Sequence, residues 1–451
     1  LRGALTGEIE GAGVQVSGDI MEKLREISRE KEIPVPDDIR AELRPYQKRG
    51  YSWLMKNFRL GLGSLIADDM GLGKTLQVIT ALDELKREGE LKTGKVIAVV
   101  PATLLTNWVR EIRKFAPNLT AEIYHGSDRK LGDPDKRPDV LLTTYGTLRR
   151  DSEQLSKLSW RVMVMDEAQA VKNTGTGAYA AASSFPADRV IAMTGTPVEN
   201  RLMEYWSIFS IVQPGLLGTA SDFRENFSVP IENEHDPRAA EAFRKLVAPF
   251  MLRRMKTDKA IISDLPDCIV QDVMTTLLPE QAYLYQETLT RNLDAISRAE
   301  ANSRDKQVKR RALVLKLITE LKQICNSPSQ YNKQWSETPD SAKAETLFEL
   351  LDECRENGRK VLVFTQYREM GELLQGWIAK KTGRKPEFLH GGVSVARRAV
   401  MVDDFQNNPD SHILLVSLKA GGTGLNLTAA SVVIHYDLWW NPAVERQASD
   451  R

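Results

Sequence analysis

The chain has 451 residues, of which 42% are hydrophobic, and a formal net charge of +1. This length exceeds what one hydrophobic core holds and predicts about two to four domains. A net charge so close to zero argues against a protein that coats nucleic acid indiscriminately, although it leaves room for a local basic groove. With no apolar stretch of about twenty residues and no charged-then-apolar leader, we expect neither a membrane span nor secretion.

The cysteines and histidines show no metal-ligand spacing. The three cysteines, Cys268, Cys325 and Cys354, lie far apart, and the five histidines form no cluster. We therefore predict reduced thiols in an intracellular protein. Because the last residues fall within a motif described below, we also expect the chain to be a fragment of a longer protein.

Two series of short apolar runs alternate with helical stretches. The first series is Ser64 to Ala67, Val96 to Val100, Val140 to Thr144, Val162 to Met165 and Val190 to Met193; the second is Val361 to Thr365, Glu387 to His390, Ile413 to Ser417 and Val432 to Tyr436. Apolar strands separated by helices are typical of parallel sheets buried on both faces. The sequence therefore predicts an α/β fold with two doubly wound lobes and a ligand between them.

The remaining segments suggest domain boundaries. We predict a polar N-terminal flank over 1–40, a first lobe with a helical protrusion over 41–252, a connector with a helical insertion over 253–340, and a second lobe over 341–451 that is truncated at its C-terminus. Apolar residues recur at helical spacing in Ala239 to Met255 and in Arg311 to Cys325, which supports the helical assignment between the lobes.

A glycine-bearing turn follows the first apolar run. Residues 68–75 read D-D-M-G-L-G-K-T. Its glycines let the backbone approach phosphate oxygens, Lys74 places a charge on the outer phosphates, and the Thr75 hydroxyl is a ligand for Mg²⁺. A helix with Leu76 on its apolar face is predicted next. A strict phosphate-loop pattern has Gly where this chain has Asp68, so an ordinary glycine turn before a helix is the alternative.

An acidic pair follows a later strand in the same lobe. Val162 to Met165 runs directly into Asp166 and Glu167. Beside a phosphate loop, Asp166 is suited to hold Mg²⁺, and Glu167 to orient and deprotonate an attacking water. The alternative is a helix N-terminus at which acids complement the dipole. Thr194 to Pro197, T-G-T-P, either senses the nucleotide state at this site or is only a favourable turn sequence.

Several motifs occur in the order found in one enzyme family. They are Leu43 to Gln47 (L-R-P-Y-Q), the D-D-M-G-L-G-K-T turn, Pro101 to Leu105 (P-A-T-L-L), Asp166 to Gln169 (D-E-A-Q), T-G-T-P, Leu321 to Pro328 (L-K-Q-I-C-N-S-P), Val361 to Tyr367 (V-L-V-F-T-Q-Y), Leu389 to Gly392 (L-H-G-G), Ser417 to Thr428 and Trp439 to Arg451. From about residue 41 to the end, the chain resembles a superfamily 2 helicase core and, more specifically, the SWI/SNF-type DNA-dependent ATPases. The resemblance implies two RecA-like lobes, ATP and Mg²⁺ as cofactors, and double-stranded DNA as the track.

The resemblance also implies an ATP site. From the first lobe it implies nucleotide binding by Gln47, Asp68, Met70, Gly71, Leu72, Gly73, Lys74, Thr75 and Leu76, catalysis by Lys74, Asp166 and Glu167, and metal binding by Thr75 and Asp166. From the second lobe it implies nucleotide binding by Gly424 and Asn426 and catalysis by Gln447 and Arg451. The Gln47 amide would read adenine N6 and N7. Arg451 would donate charge to the γ-phosphate on lobe closure, an effect of about 10³ to 10⁵ on rate for such an arginine.

The DNA track implied by the resemblance crosses both lobes. It comprises Pro101, Thr103, Trp108, Thr144 and Tyr145 from the first lobe, and Gln366, His390, Gly391, Ser417, Lys419, Gly421 and Trp440 from the second. Most of these are hydroxyls, small residues and backbone positions, which contact phosphate without reading bases, so we expect sequence-independent binding. A core position is the alternative for each aromatic residue. The basic runs Arg253 to Lys256 and Lys306 to Arg311 either extend the track or lie on solvated helix faces.

Two departures from the family pattern have consequences. Gln169 stands where many relatives in the wider superfamily have His, which leaves a coupling contact to T-G-T-P open through the amide. The family's last motif continues to a further arginine beyond Arg451. We therefore expect this chain to bind ATP and DNA but to hydrolyse ATP slowly unless the following segment is restored.

The sequence thus predicts a motor that moves along duplex DNA and displaces or remodels bound proteins without separating the strands. Its expected partners are double-stranded DNA and a DNA-bound protein recognised by regions outside this chain. We expect a monomeric, DNA-associated motor in the nucleoid or the nucleus. Two alternatives stay open, an RNA helicase of the same superfamily and a nucleotide-gated clamp with little turnover. The presence of Lys74 and Glu167 argues against the clamp.

Overall fold

Two separate parallel sheets, one in each half of the chain, organise the fold. The computed structural model describes residues 8–9, 12–13, 32–127, 129–132, 137–195, 201–256, 258, 269–302, 306–421 and 427–449. The chain divides into two units, Leu1–Pro266 and Asp267–Arg451. The predicted α/β class with two doubly wound lobes is confirmed. The finer domain boundaries stay predictions.

The first unit contains a seven-stranded sheet in the order β5-β6-β4-β7-β8-β3-β9. Its strands are β3 (Ser64–Ile66), β4 (Lys95–Val99), β5 (Ala121–Ile123), β6 (Val140–Thr143), β7 (Trp160–Met165), β8 (Ala187–Met193) and β9 (Met251–Leu252), all parallel to their neighbours. A short antiparallel pair, β1 (Glu8–Ile9) and β2 (Ala12–Gly13), precedes it. In this order β7, β8 and β3 are neighbours, so their carboxyl ends lie side by side.

Helices cover both faces of this sheet. They are α1 (Pro45–Arg59), α2 (Lys74–Arg87), α3 (Leu105–Phe115), α4 (Tyr145–Arg150), α5 (Ser152–Leu155), α6 (Gly177–Ser183), α7 (Met203–Val212), α8 (Ala220–Phe223), α9 (Val229–Glu232) and α10 (Pro237–Val247). Alternate strand residues enter separate cores. Leu65 and Ile97 pack in one core, while Ile66 and Val96 pack in the other. This alternation is the reason that the strands read as continuous apolar runs.

The second unit contains a four-stranded parallel sheet in the order β11-β12-β10-β13. Its strands are β10 (Val361–Thr365), β11 (Glu387–Leu389), β12 (Ile413–Ser417) and β13 (Val432–His435). Its helices are α11 (Pro279–Asn302), α12 (Lys306–Asn326), α13 (Pro328–Asn332), α14 (Ala342–Glu356), α15 (Arg368–Thr382), α16 (Val395–Asn407), α17 (Leu418–Gly421) and α18 (Pro442–Ser449). Gln281 of α11 donates to the Ile324 carbonyl oxygen of α12 at 2.9 Å, which joins the two long helices.

The helix predicted over Ala239 to Met255 is wrong in its second half. Helix α10 ends at Val247, and Met251 and Leu252 form strand β9, which pairs with Leu65 and Ile66 of β3. Pairing with a strand far away in the sequence overrides the local helical spacing. Strand β5 also escaped prediction, because its residues are largely exposed and lack an apolar run. Cys325 and Cys354 are free thiols.

Candidate ATP and DNA sites

The glycine-bearing turn connects β3 to α2 as predicted. Gly71 and Gly73 have φ values of 78° and 69°, a left-handed conformation that favours glycine. Gly73 also caps the N-terminus of α2. A Cβ atom at Gly73 would lie 2.3 Å from Nε2 of Gln47. Both the backbone conformation and the lack of space therefore favour glycine at this position. Backbone N–H groups at this helix start form a ready anion site.

Lys74 is held by the backbone of the same turn. Its Nζ donates to the carbonyl oxygens of Asp68 at 2.8 Å and Asp69 at 3.2 Å. Burial lowers the pKa of Lys74, and the negative charge of Glu167 opposes this shift most strongly. Thr75 follows in the first turn of α2. The ammonium group therefore points at the turn, and it is attracted by the charges of Glu167 and Asp166.

The other predicted turn residues are mostly packing residues. Met70 packs on Gly195 of the T-G-T-P segment, where a Cβ atom would lie 2.6 Å from Met70 Cγ. Leu72 packs on Tyr46, and Leu76 lies half-buried beside the core between α1 and α2. Met70 and Leu72 therefore pack at the turn itself, whereas Leu76 lies in α2.

The Asp68 carboxylate has a protein partner in this structure. Its side chain is fully buried and forms an ion pair with Arg254. Both carboxylate oxygens accept hydrogen bonds from Arg254, so in this structure the Asp68 carboxylate faces Arg254, while its backbone carbonyl receives Lys74. The basic run Arg253 to Lys256 is therefore neither a helix face nor wholly open, because Arg254 is 6% exposed.

Gln47 lies on the turn rather than in open solvent. Its Nε2 donates to the Leu72 carbonyl oxygen at 3.3 Å, and its Oε1 accepts from the Arg44 backbone N–H at 2.9 Å. A primary amide has two N–H groups and two acceptor lone pairs. Each side of the amide therefore retains capacity for one further hydrogen bond.

The acidic pair lies at the carboxyl end of β7. Asp166 is 8% exposed, and its Oδ2 accepts from Nε1 of Trp108 at 2.9 Å. Its Oδ1 accepts from the Glu167 backbone N–H at 2.9 Å. Burial and the neighbouring Glu167 charge raise the pKa of Asp166 to about 7. The Tyr145 hydroxyl donates to the Asp166 carbonyl oxygen at 2.8 Å, which fixes the backbone beside the acid.

A hydrogen-bonded chain connects Glu167 to the T-G-T-P segment. Gln169 Nε2 donates to Glu167 Oε2 at 2.7 Å, and the Thr194 hydroxyl donates to Gln169 Oε1 at 2.8 Å. The coupling contact that was left open through the Gln169 amide is therefore present. Glu167 has a φ value of 49°, which is uncommon outside glycine. Thr196 and Pro197 lie outside the described residues.

The predicted DNA residues of the first unit divide into surface and interior positions. Pro101 and Thr103 are half-buried at the turn that follows β4. Thr144 caps α4 by accepting from the Thr147 backbone N–H. Trp108 is 1% exposed and directs its indole to Asp166, so its ring has almost no surface to offer DNA here. Tyr145 is likewise buried.

The predicted DNA residues of the second unit cluster at strand ends. Gln366 follows β10, and its Nε2 donates to the Leu438 carbonyl oxygen at 3.3 Å. Trp440 is 60% exposed, and the Lys322 ammonium lies 4.8 Å from its ring centroid. Lys322 also donates to the Leu438 carbonyl oxygen at 2.6 Å. These contacts bring a tryptophan, an amide and an ammonium group together on one surface.

Other predicted residues of this unit lie at neighbouring strands. His390 and Gly391 follow β11, and Arg398 donates to both of their carbonyl oxygens at 3.2 Å. Ser417 ends β12 and is buried. The backbones of Lys419 and Gly421 lie in α17. Gln447 lies in α18, whereas Gly424, Asn426 and Arg451 fall outside the described residues.

Sequence reasoning missed residues that position these groups. Gln77 donates to the carbonyl oxygens of Leu72 and Gly73, and Arg254 pairs with Asp68. In the second unit, Asp437 accepts from the Thr365 hydroxyl at 2.5 Å and from the Gln366 backbone N–H at 2.8 Å. Asp68, which stands where a strict phosphate-loop pattern has Gly, was the available signal for Arg254. An acid buried at the end of an apolar strand requires a cationic partner.

The first unit offers oxygen ligands for a divalent ion. The described residues contain no group of three or more His, Cys, Asp or Glu side chains arranged to hold a metal. Mg²⁺ commonly binds through one or two carboxylates plus nucleotide phosphates. The buried Asp166 carboxylate, whose pKa is raised by burial and by the neighbouring Glu167 charge, fits that role. Within the described part of the chain, no helix is long and apolar enough to cross a membrane.

Comparison with known proteins agrees with this arrangement. The sequence pattern of the SNF2-related domain matches residues 46–330, and that of the helicase conserved C-terminal domain matches residues 342–451. The chain belongs to the SNF2-related family. Relatives similar to it are named as ATP-dependent helicases or translocases, which agrees with the predicted use of ATP.

Relatives of this SNF2-related chain occur in bacteria, archaea and yeast. The protein YwqA of Bacillus subtilis is 38% identical over 98% of this chain and 48% of its own length. The ISWI chromatin-remodeling complex ATPase ISW1 of Saccharomyces cerevisiae is 30% identical over 92% of this chain and 38% of its own length. This chain therefore spans about half or less of these relatives.

A solved structure has the same fold. The Sulfolobus solfataricus SWI2/SNF2 ATPase core in complex with double-stranded DNA is 38% identical, with a TM-score of 0.52. The match covers 92% of this SNF2-related chain and 85% of the archaeal one. The Sulfolobus solfataricus SWI2/SNF2 ATPase core domain gives a TM-score of 0.51 at the same identity.

Proposed function

We propose that this chain is the motor of an ATP-dependent translocase that moves along double-stranded DNA without separating its strands and displaces or remodels bound proteins. The observation that carries the proposal is the meeting of Lys74, Glu167 and Thr194 at the carboxyl ends of three adjacent strands. The duplex bound by the similar Sulfolobus core supports the choice of track.

In this proposal the first unit performs the chemistry. Lys74 places its charge on the outer phosphates, and Glu167 orients and deprotonates the attacking water. Gln169 holds the Glu167 carboxylate at 2.7 Å and transmits its position to Thr194 at 2.8 Å. Asp166 and Thr75 would hold Mg²⁺, which would supply positive charge to the phosphate oxygens. Trp108 orients Asp166 through its indole N–H.

Nucleotide selection and completion of the site require further residues. The remaining hydrogen-bonding capacity of Gln47 would serve adenine N6 and N7, since one side of its amide already contacts the turn. Gly424, Asn426, Gln447 and Arg451 would contribute from the second unit. If a further arginine beyond Arg451 is needed, this chain alone hydrolyses ATP slowly.

DNA contact in this proposal is made through phosphates. Pro101, Thr103 and Thr144 would serve in the first unit, and the strand-end residues Gln366 and His390 in the second. Their hydroxyl, amide and backbone groups grip phosphate oxygens without reading bases. Trp440 and its partner Lys322 add an exposed aromatic and a cation. The target protein would be recognised outside this chain, and the motor would act as a monomer at DNA.

The test is the ATPase rate with no nucleic acid, duplex DNA, single-stranded DNA and RNA, followed by displacement of a third strand from a triplex. Stimulation by duplex DNA with third-strand displacement and no duplex unwinding is expected. Stimulation by RNA alone would favour an RNA helicase. A low rate that no nucleic acid stimulates, both in this chain and in a longer chain that includes the segment after Arg451, would favour a clamp. Either result contradicts the proposal. A longer chain that includes the segment after Arg451 serves as the rate reference.

A further inference from the structure

A buried ion pair joins the phosphate turn to the segment that follows β9. Asp68 is 0% exposed and Arg254 is 6% exposed. Arg254 Nε donates to Asp68 Oδ1 at 3.0 Å, Nη2 donates to Oδ2, and the Arg254 backbone N–H donates to Oδ1 at 3.0 Å. A guanidinium that meets a carboxylate through two parallel bonds fixes both orientation and distance.

The same guanidinium reaches two helices of the ATP site. Its Nη1 donates to the Tyr46 carbonyl oxygen in α1, and its Nη2 donates to Gln77 Oε1 in α2 at 2.7 Å. Gln77 in turn donates through Nε2 to the carbonyl oxygens of Leu72 at 3.3 Å and Gly73 at 3.2 Å. Hydrogen bonds therefore run from Arg254 through Gln77 to the backbone that faces phosphate.

Helix α1 leaves space for this network. A Cβ atom at Gly50 would lie 1.9 Å from Gln77 Oε1 and 2.9 Å from Arg254 Nη2. Glycine lowers helix stability relative to alanine, so its place inside α1 needs a packing reason. The room required by Gln77 and Arg254 supplies that reason.

The segment after β9 and the catalytic lysine share the same stretch of backbone. The Lys256 backbone N–H donates to Asp69 Oδ2 at 2.9 Å, and Arg253 Nη1 donates to the Ala67 carbonyl oxygen at 3.1 Å. Lys74 is held by the carbonyl oxygens of Asp68 and Asp69. Displacing the segment after β9 would therefore move the groups that hold Lys74.

We propose that Arg254 is a positioning residue for ATP, which fixes the shape of the phosphate turn through Asp68 and Gln77. The affinity for ATP then depends on the position of the segment Arg253 to Lys256 against the turn. This inference rests on the proposed function, in which the turn that contains Lys74 binds ATP. It adds a connection from that site to the segment through which the chain leaves the first sheet.

The decisive experiment separates positioning from stability in the 451-residue chain. Arg254→Met alone leaves the Asp68 charge buried without a partner, which destabilises the fold. The double variant Asp68→Leu with Arg254→Met replaces the pair by apolar side chains and is expected to recover the melting temperature. It still removes the hydrogen bonds that Arg254 donates to Gln77 Oε1 and to the Tyr46 carbonyl oxygen. We therefore expect its KM for ATP to stay raised by about tenfold, with kcat within about threefold of the unaltered chain.

A second variant tests the same network without touching its charges. Gly50→Ala pushes on Gln77 Oε1 and Arg254, so its KM for ATP is also expected to rise. The matched control is Arg161→Met, because Arg161 forms ion pairs with Glu90 and Asp188 away from the turn. Its KM for ATP is expected to be unchanged.

Lys74→Ala serves as the reference variant. If Lys74→Ala abolishes binding of ATP while the double variant recovers both melting temperature and KM, Arg254 is only structural and the inference is wrong. If Lys74→Ala leaves ATP binding unchanged, the proposed ATP site itself is wrong, and the inference falls with it. A raised KM in the double variant and in Gly50→Ala, with Arg161→Met unchanged, supports the inference.

Discussion

The two units place the side chains proposed for ATP hydrolysis and for DNA contact in opposite environments. In the first unit, Asp68 and Asp166 are buried and bonded to named partners, and Gln169 connects Glu167 to Thr194. In the second unit, Trp440 and Leu438 expose 60% and 61% of their surface beside Lys322. Chemistry on phosphate needs groups held in a fixed geometry, whereas contact with a polymer needs an accessible surface.

The largest effect is expected from Glu167→Gln in the first unit. The substitution keeps size and can still accept a hydrogen bond from Gln169, so ATP affinity should persist. Loss of the general base should lower kcat by about 10² to 10⁴. Steady-state hydrolysis and ATP binding by titration measure the two quantities. Glu153→Gln, at an exposed ion pair with Lys157, is the control, and a kcat above about a tenth of the unaltered value would contradict the role of Glu167.

In the second unit, Asp437→Ala tests how much one buried, hydrogen-bonded carboxylate contributes to stability. Asp437 accepts from Thr365, Gln366 and Asn326, and it is 1% exposed. Removing the carboxylate leaves these donors unsatisfied and should lower the free energy of unfolding by about 1–3 kcal/mol.

Chemical denaturation monitored by hydrogen exchange in β10 and β13 locates that loss. The exposed Asp403, which accepts from Asn407, provides the control Asp403→Ala with an expected change of less than about 0.5 kcal/mol. Equal stability of the two variants would show that Asp437 is not a structural anchor.

Gln169→Ala and Thr194→Val should each break the series of hydrogen bonds that connects Glu167 to Thr194 through Gln169. Each should lower kcat by about tenfold, equivalent to roughly 1.4 kcal/mol, because the Glu167 carboxylate loses its fixed orientation. The double variant should have a kcat little lower than that of either single variant, because either substitution alone already disconnects Glu167 from Thr194. Full additivity of the effects on kcat would refute the coupling. Ser183→Ala, at an exposed helix end, should leave kcat unchanged.

Trp440→Ala should give the smallest effect and the most selective one. Because the ring is exposed, stability should change by less than about 0.5 kcal/mol, while duplex DNA affinity falls by about threefold to tenfold. Fluorescence anisotropy with labelled duplex measures the affinity. Trp335→Ala is the matched control, because Trp335 is 62% exposed elsewhere on this unit. Equal losses of affinity in both variants would remove Trp440 from the DNA surface.

The parts that sequence predicted well depend on neighbours along the chain. The glycine turn, Lys74 and the pair Asp166 and Glu167 each directly follow an apolar strand, and parallel sheets bring strand carboxyl ends to one edge. The strands themselves were recognisable because both faces are buried. Their predicted ends differ from the structure by up to three residues at Val190, where β8 begins at Ala187.

The parts that sequence did not predict depend on distant partners. Trp108 was expected on the DNA track, yet it donates to Asp166 across 58 positions of sequence. Arg254 was expected on a helix face or an open track, yet it meets Asp68 across 186 positions. No local spacing encodes such pairs, because they depend on how strands and helices pack.

The amino-acid order by itself determined the family, the parallel sheets and the acids and lysine at their ends, since strand, turn and helix signals are local. Only the tertiary structure decided that Asp68 pairs with Arg254, that Gln77 supports the turn, and that Trp108 orients Asp166. A buried charge or donor must find its partner in space, and the sheet order determines which residues are near enough to be that partner.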